Sequence, residues 1–319
     1  SLIPKLPNLY DEPFADSSQI PTHFVSMSAK QDVTVSLSGD AGDELFGGYN
    51  RYLWAPALWN KIKWMPFFGR KAIGNSLSIL PISSWDQLGK IYNQFNRGVS
   101  SIAHLGDKVH KTARRLKTVY SIDDLYKNLV SEWPHPEKLV IESSVKSSDH
   151  LIKILDEALP LKGMQNPESR MMYWDVMTYM TDDILCKVDR AAMGVSLETR
   201  VPFLDHRVAE IAWQIPLEMK INNGQGKCPL REILYKRVPK ALIERPKAGF
   251  GIPIGDWLRG PMREWVESLI DTDRLIREGY LEPMLVQRIW MEHLEGKRNW
   301  SFRLWSILMF QSWLEQHHN

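Results

Sequence analysis

One run of the sequence, from Val33 to Tyr49, constrains the fold more than any other. It reads VTVSLSGDAGDELFGGY: a short stretch rich in β-branched residues, then a glycine-rich loop with acidic residues, then an apolar stretch. A strand that leads through such a loop into a helix places the loop at the carboxyl end of the strand, where α/β proteins hold their ligands. The run therefore predicts a buried parallel strand over 33–37, followed by a ligand-binding loop.

The loop concentrates three acids, Asp40, Asp43 and Glu44. Their charges repel one another unless water, a cation or a cationic ligand lies among them. Gly39 and Gly42 would let the backbone approach a ligand closely. The alternative is a turn that caps a helix, with Asp40 or Asp43 at the N-cap and Glu44 in the first turn. A calcium loop is disfavoured because the alternating ligands and the distant glutamate of that motif are missing.

Composition excludes several classes of function. The chain has 319 residues, 44% of them hydrophobic, which suffices for one large domain or two smaller ones. A net charge of +2 gives no reason to expect a nucleic-acid partner, and the basic stretch 111–117 is interpreted as a solvated helix face. The two cysteines lack metal-binding spacing and suit a reducing cytoplasm. No signal peptide or membrane span is evident, so a cytoplasmic protein is expected.

The remainder of the chain is patterned for helices. We expect an α/β fold tending to mostly α, with one clear parallel strand followed by many helices. No second strand is evident before residue 33, so the chain is expected to begin partway through an α/β unit. The predicted helices cover residues 43–61, 68–79, 85–94, 99–117, 122–131, 147–157, 167–180, 182–193, 205–214, 227–236, 240–244, 255–259, 261–269, 273–278, 282–294 and 300–315.

A second group of charges lies between Thr181 and Met193, where Asp183, Lys187 and Arg190 share a helical stretch. Asp183 and Lys187 are four residues apart with the acid first, which favours an ordinary surface ion pair. The same residues could instead contact a ligand. The pattern alone leaves both interpretations open.

Two further segments carry motifs. Residues 201–204, Val-Pro-Phe-Leu, are predicted to be extended and buried, because a residue before proline avoids the α region. Asp205 could then cap the following helix. Arg245 and Lys247 flank a proline in a glycine-containing loop, which is either a solvated surface loop or a place where cations meet an anion.

Together these segments resemble the synthetase half of glutamine-dependent asparagine synthetases. The run SGDAGDELFGGYNRY, residues 38–52, is similar to the most recognisable signature of that family. Later blocks match in the same order, and the segments before the signature and at the end of the chain resemble their counterparts. The similar blocks are residues 11–18, 38–52, 187–193, 196–207, 245–251 and 300–313.

The resemblance implies a fold and a reaction. Residues 1–319 would form the C-terminal portion of an adenine-nucleotide α-hydrolase-like, or ATP-pyrophosphatase, domain. With ATP and Mg²⁺, such an enzyme activates the side-chain carboxylate of aspartate as an adenylate and releases pyrophosphate. Ammonia, produced from glutamine by a separate N-terminal domain, then attacks the acyl carbon. A sheet edge left open in this chain could be covered by a second copy, as a homodimer.

The resemblance also implies roles for individual residues. Asp40 would lie beside the reacting acyl group and accept a proton from ammonia. Asp43 would help hold Mg²⁺ on the pyrophosphate, and Lys247 would neutralise charge on the phosphates. The residues expected to bind the nucleotide are Ser38, Gly39, Gly42 and Glu44. Further expected contacts to substrate or phosphate are Asp16, Ser17, Asp183, Lys187, Arg190 and Arg245.

The sequence also departs from the family pattern. It contains neither the Ser-Gly-Gly-x-Asp-Ser pyrophosphate loop nor an initial nucleophilic cysteine, and Ala41 stands where glycine is commoner. We therefore expect the glutaminase domain and half of the ATP site to lie outside this chain. Two alternative functions stay open at this point. One is a related amidotransferase acting on a sugar acid or a peptide carboxylate, and the other is a non-catalytic helical module for partner binding.

Overall fold

A computed structural model describes residues 2–95, 105–141, 164–244 and 251–317. The chain divides into two compact units. The first comprises Ser1–Leu53, His135–Gln287 and Ser301–Asn319, and the second comprises Trp54–Pro134 and Arg288–Trp300. Helices dominate the described residues, as the sequence predicts, and the strand pair belongs to the first unit.

The sheet of the described residues consists of two short parallel strands, β1 (Val35–Leu37) and β2 (Glu198–Arg200). The parallel strand predicted over 33–37 is present but shorter. Its predicted burial is wrong, since Val35 is 38% exposed and Leu37 74% exposed. β1 has one neighbouring strand among the described residues, and that leaves its apolar side chains uncovered. β2 was not predicted, because its sequence Glu-Thr-Arg has no apolar pattern.

The helices of the first unit agree with most of the predicted spans. In the described part of this unit, three short 3₁₀ segments accompany them, at Ile3–Lys5, Pro136–Lys138 and Pro202–Leu204. The other helical segments that lie in this unit, or begin or end in it, are Leu6–Tyr10, Gln19–Ala29, Gly42–Phe46, Asn50–Ile62, Pro167–Asp175, Val176–Leu185, Cys186–Met193, His206–Gln214, Leu217–Lys220, Cys228–Tyr235, Lys240–Ile243, Ile254–Arg259, Arg263–Leu269, Thr272–Glu278, Pro283–Leu294 and Ser301–His317.

The single helix predicted over 43–61 is wrong, because the chain forms two helices there. Gly42–Phe46 ends at Gly47, whose φ of 71° is left-handed, and the next helix begins at Asn50. A Cβ on Gly47 would lie 2.7 Å from Cγ1 of Ile221. The break therefore depends on a residue without a side chain.

The sequence predicts two separate helices over 167–180 and 182–193, and this is also wrong, because the two are joined. The chain is continuously helical from Pro167 to Met193, and its central part, Val176–Leu185, is a π-helix. π-helical turns are rare and often lie at functional sites. This run contains Asp183, Lys187 and Arg190, the second group of charged residues noted in the sequence.

Two smaller predictions also fail. Residues 201–204 are not extended and buried, because Pro202–Leu204 forms a partly exposed 3₁₀ turn. The proline supplies the first position of that turn, where its missing N–H is not needed. Asp205 does cap the next helix, since its carboxylate accepts a hydrogen bond from the Arg207 amide at 2.9 Å.

Among its described residues, the second unit contains four helices that lie wholly within it. Their bounds are Phe67–Ile79, Ile82–Phe95, Leu105–Thr118 and Ile122–Val130. Arg70 is buried among them and donates from Nη1 to the Val119 carbonyl at 2.8 Å. The helix predicted over 147–157 lies outside the described residues. Across the described part of the chain, no helix has the length and apolar character that crossing a bilayer requires.

A buried cluster beneath the signature positions it in the first unit. Ala41, Leu45 and Phe46 pack with Met180 and Ala212. The Phe46 ring meets Phe203 edge-on, with 5.8 Å between the ring centroids. The helix that follows the acidic loop is therefore fixed by its apolar face, which leaves the loop at the end of β1.

Replacing Gly47 with alanine should destabilise the first unit by more than the left-handed backbone alone requires. The left-handed conformation costs roughly 1–2 kcal/mol for a residue with a Cβ, and the contact with Ile221 adds to it. Urea unfolding of Gly47→Ala measures the total. Gly279→Ala is the matched control, because Gly279 has φ 73° and open space around its Cβ position. Equal losses in the two variants would contradict a packing role for Gly47.

Candidate functional site

The loop after β1 is held in a defined turn. The Ser38 amide donates to the Arg200 carbonyl of β2 at 2.8 Å, and the Ser38 hydroxyl donates to the Asp40 carboxylate. Asp40 N–H in turn approaches the Ser38 oxygen at 3.3 Å. Ala41, not an aspartate, occupies the N-cap of the next helix, with a left-handed φ of 65° and no side-chain cap. The alternative is therefore wrong in making Asp40 or Asp43 the N-cap, although Glu44 does lie in the first turn as that alternative expected.

The two glycines of the loop have different surroundings. A Cβ on Gly39 would meet nothing within 4 Å, so the backbone there faces open space. A Cβ on Gly42 would lie 3.2 Å from the Phe203 ring. Gly42 is buried, and its small size serves packing against Phe203. A role for Gly39 beside a ligand stays a prediction.

Asp43 lies in the first turn of the following helix, where its carboxylate pairs with Lys227 at 2.8 Å. The described ranges contain no group of three or more Asp, Glu, His or Cys side chains suited to a metal ion. Mg²⁺ is commonly held by one or two carboxylates, with phosphates and water completing the shell. Asp43, which is partly exposed, fits that mode as a single ligand.

Glu44, predicted to contact the nucleotide, points into the protein. Its carboxylate accepts a hydrogen bond from the Tyr49 hydroxyl at 2.6 Å. Burial raises the pKa of Glu44, although that hydrogen bond opposes the shift. A direct contact between this side chain and a ligand is not supported by its burial and stays a prediction.

The end of the signature is fixed by a buried ion pair. Arg51 donates from Nε to Asp175 at 2.9 Å, with Nη2 of Arg51 2.8 Å from the same oxygen, and Tyr52 donates its hydroxyl to that carboxylate. Asp175 is fully buried. The Arg51 guanidinium also lies 4.0 Å from the Tyr49 ring centroid. Loss of one partner of such a pair typically costs 3–5 kcal/mol, about as much as several ordinary contacts.

A second cluster joins the N-terminal segment to the long helical run. Lys187 Nζ lies 2.5 Å from Asp16, and Ser18 donates to Asp16 from both its amide and its hydroxyl at 2.8 Å. Asp183 is farther from Lys187, at 3.9 Å. The interpretation of Asp183 and Lys187 as a surface pair is therefore wrong, because Lys187 is buried and its main partner is Asp16.

The two carboxylates of this cluster have opposite pKa shifts. Burial alone would raise the pKa of Asp16, but the Lys187 ammonium and the Ser18 hydrogen bonds hold it below its usual value. Burial and the nearby Asp16 raise the pKa of Asp183 to about 7. The cluster therefore holds one negative charge firmly and a second carboxyl that is partly protonated near neutral pH.

Tyr179 links this cluster to the signature. Its pKa is raised, first by burial and then by the charges of Asp183 and Asp16, while Arg51 acts in the opposite direction. The Tyr179 and Tyr49 rings meet edge-on with 5.8 Å between centroids. The structure thus brings Asp16, Asp183 and Lys187 into one neighbourhood with the residues that follow the acidic loop.

The remaining predicted residues are less informative. Ser17 is partly buried in the turn before the Gln19–Ala29 helix. Arg190 is exposed and pairs with Asp189 at 3.0 Å. Arg245 and Lys247 lie outside the described residues. The roles predicted for these four residues stay predictions.

The sequence motifs did not predict three residues that contact or neighbour the signature. Asp175, Tyr179 and Lys227 were not singled out, although all three contact or neighbour the signature in space. The spacing of Asp175, Tyr179, Asp183 and Lys187, each four residues after the last, was an available signal. It marks one face of a helix, since residues four apart are neighbours on a helical surface.

Comparison with known proteins decides the family. The sequence profile of a family described as Asparagine synthase matches residues 1–315. The chain belongs to the asparagine synthase family. It is 31% identical over 316 residues to "Asparagine synthetase [glutamine-hydrolyzing] 1" of Bacillus subtilis, covering 98% of this chain and 45% of that protein. This result confirms the family that the motifs suggested.

Other relatives agree. A putative glutamine-hydrolyzing asparagine synthetase of Mycobacterium tuberculosis is 31% identical over 313 residues, with 98% of this chain and 44% of that protein covered. The human asparagine synthetase is 31% identical over 143 residues, which is 39% of this chain and 24% of the human protein. The chain thus spans less than half the length of the relatives that match it throughout.

In this family member, Asp183→Asn should remove a pH dependence of stability. An unfolded aspartate has a pKa near 3.9, and the folded value is about 7. Between those values the folded state binds more protons than the unfolded state, so wild-type stability falls as pH rises. Asparagine cannot ionise, so the free energy of unfolding of the variant should gain on that of the wild type between pH 4.5 and pH 7.5, by about 2 kcal/mol after allowance for partial exposure.

Urea unfolding at the two pH values measures this difference. Asp182→Asn is the control, because Asp182 is the exposed neighbouring acid in the sequence. A constant difference between Asp183→Asn and the wild type at both pH values would show that Asp183 titrates normally.

Proposed function

We propose that this chain supplies the acyl-adenylate site of an ATP-dependent amidation of aspartate. The β-carboxylate oxygen attacks the α-phosphorus of ATP and pyrophosphate leaves. Ammonia then attacks the acyl carbon, AMP leaves, and a proton is released. In the whole protein, ammonia would come from glutamine through a separate domain. The relatives from Bacillus subtilis and Mycobacterium tuberculosis are named as glutamine-hydrolyzing synthetases, which supports glutamine as the source.

One observation carries the proposal. The turn of Ser38, Gly39 and Asp40 lies at the carboxyl end of β1, with open space over Gly39. That is the position where parallel α/β sheets bind ligands. Membership of the asparagine synthase family supports assigning this chemistry to the turn, and we propose an ATP-pyrophosphatase type of fold with it.

The proposed roles are those that the family resemblance implies, and each is chemically reasonable. Ser38 and Gly39 contact the adenylate. Asp40, held at the turn by the Ser38 hydroxyl, accepts the proton that ammonia loses as the amide forms. Asp43 is the protein carboxylate for Mg²⁺, which when bound would neutralise charge on the pyrophosphate. Lys247 would neutralise charge on the phosphates as the adenylate forms.

The identity of the carboxylate substrate is tested by measuring pyrophosphate release. The protein that this gene encodes is incubated with ATP, ammonia and each candidate acid in turn. Aspartate should support release and asparagine formation, whereas sugar acids and peptide carboxylates should not. If pyrophosphate release depended on a sugar acid or a peptide carboxylate, that acid and not aspartate would be the substrate. No release with any acid would leave a non-catalytic helical module as the function.

Asp40→Asn should lower asparagine formation about 100-fold or more while the thermal midpoint changes little. Asparagine keeps the shape of the turn but cannot accept the proton from ammonia. Pyrophosphate release with and without ammonia shows which half-reaction is lost. Asp32→Asn, at an exposed position before β1, is the control. Full activity of Asp40→Asn would restrict Asp40 to stabilising the turn.

Lys247→Ala should reduce activity by a factor of about 10²–10³, the usual effect of removing one fixed electrostatic contact in the transition state. Stability should not change, because the role is electrostatic. Initial rates at saturating ATP measure the effect, with Lys236→Ala at an exposed position as the control. Equal turnover of Lys247→Ala and the wild type would assign Lys247 to an ordinary surface loop.

A further inference from the structure

A buried lysine lies apart from the residues given roles above. Lys220, at the end of the Leu217–Lys220 helix, is only 3% exposed. Within the part of the chain that the structure describes, no acid pairs with it and no hydrogen bond holds it. Its one close contact is the Trp213 ring, whose centroid lies 5.1 Å from Nζ. A buried cation without an anion is unfavourable, so this position calls for a negative partner.

The lysine borders a cavity of about 350 Å³. That volume is in the range of small-molecule sites. Half of the lining residues are polar or charged, and the other half are apolar. The lining residues are Met164, Gln165, Asn166, Ser169, Trp213, Ile215, Leu217 and Lys220.

The N-terminus of a helix lies at the same cavity. Pro167–Asp175 begins there and continues as a helical run to Met193, and both Asn166 and Ser169 line the cavity. The Asn166 side chain does not cap the first turn. Free amides and the helix dipole at such an end attract an anion. The helix end and Lys220 are independent features that favour the same charge.

We propose that this cavity binds a small organic carboxylate with an apolar body. The carboxylate would pair with Lys220 and the first-turn amides, and the body would lie against Trp213, Ile215 and Leu217. One ammonium and a helix end match a monoanion better than a phosphate dianion. Aspartate has no apolar body and should not bind here. Burial lowers the pKa of Lys220 to about 8, which keeps it largely charged at neutral pH in agreement with this role.

The test uses benzoate and indole-3-acetate as carboxylate probes, with benzamide as the neutral isostere and inorganic phosphate as the other anion. Binding to the protein is measured by ligand-observed NMR and by titration calorimetry. Lys220→Met removes the charge and keeps the length, Lys220→Arg keeps the charge, and Lys236→Met is an exposed control. Ser169→Asp places a carboxylate inside the cavity and should exclude a second one.

We expect the dissociation constant of at least one carboxylate probe to rise at least tenfold in Lys220→Met and to be unchanged in Lys236→Met. Lys220→Arg should retain binding within about threefold, and Ser169→Asp should abolish it while preserving the fold. Thermal unfolding should show Lys220→Met at least as stable as the wild type, because it removes an unpaired buried charge. Equal binding of benzamide, undiminished binding by Lys220→Met, binding of phosphate alone, or no binding of either carboxylate would overturn the proposal.

Discussion

The ion pair between Arg51 and Asp175 is the interaction on which the arrangement of the site depends. Asp175 has no exposed surface, so its charge must be compensated within the protein. Arg51 and Tyr52 supply that compensation, and both belong to the end of the signature. The loop at the end of β1 is therefore anchored on its far side to the long helical run. Apolar residues in place of Arg51 and Asp175 could fill the same volume. They would not fix the direction in which the chain enters the Asn50–Ile62 helix.

The helical run from Pro167 to Met193 contacts both the signature and Asp16, and its helix geometry explains how. Asp175, Tyr179, Asp183 and Lys187 recur at intervals of four residues, and the interval spans the π-helical segment Val176–Leu185. In an α-helix this spacing drifts around the axis, since each turn takes 3.6 residues. A π-helical turn takes more residues, so the drift is reversed there. The four side chains consequently form one stripe, with the signature at one end and Asp16 at the other.

Local patterns predicted the elements of this fold better than its contacts. The β-branched run before Ser38 predicted β1, and Asp205 was correctly expected to cap its helix. Long-range partners were not accessible in the same way. Lys187 has an acid four residues earlier, and that local pair masked the stronger bond to Asp16, 171 residues away. β2 has no apolar alternation, and its pairing with β1 depends on backbone groups that carry no sequence signal.

Two buried lysines differ in how the cost of burying a positive charge is compensated. Lys187 is 8% exposed and meets Asp16 and Asp183, so the protein itself compensates its charge. Lys220 is 3% exposed and borders a cavity, with an aromatic ring but no acid beside it among the described residues. A lysine compensated from within contributes to the fold, and its removal leaves carboxylates unpaired. A lysine without such compensation lowers stability, and an anion that bound beside it would restore the loss in proportion to its concentration and affinity.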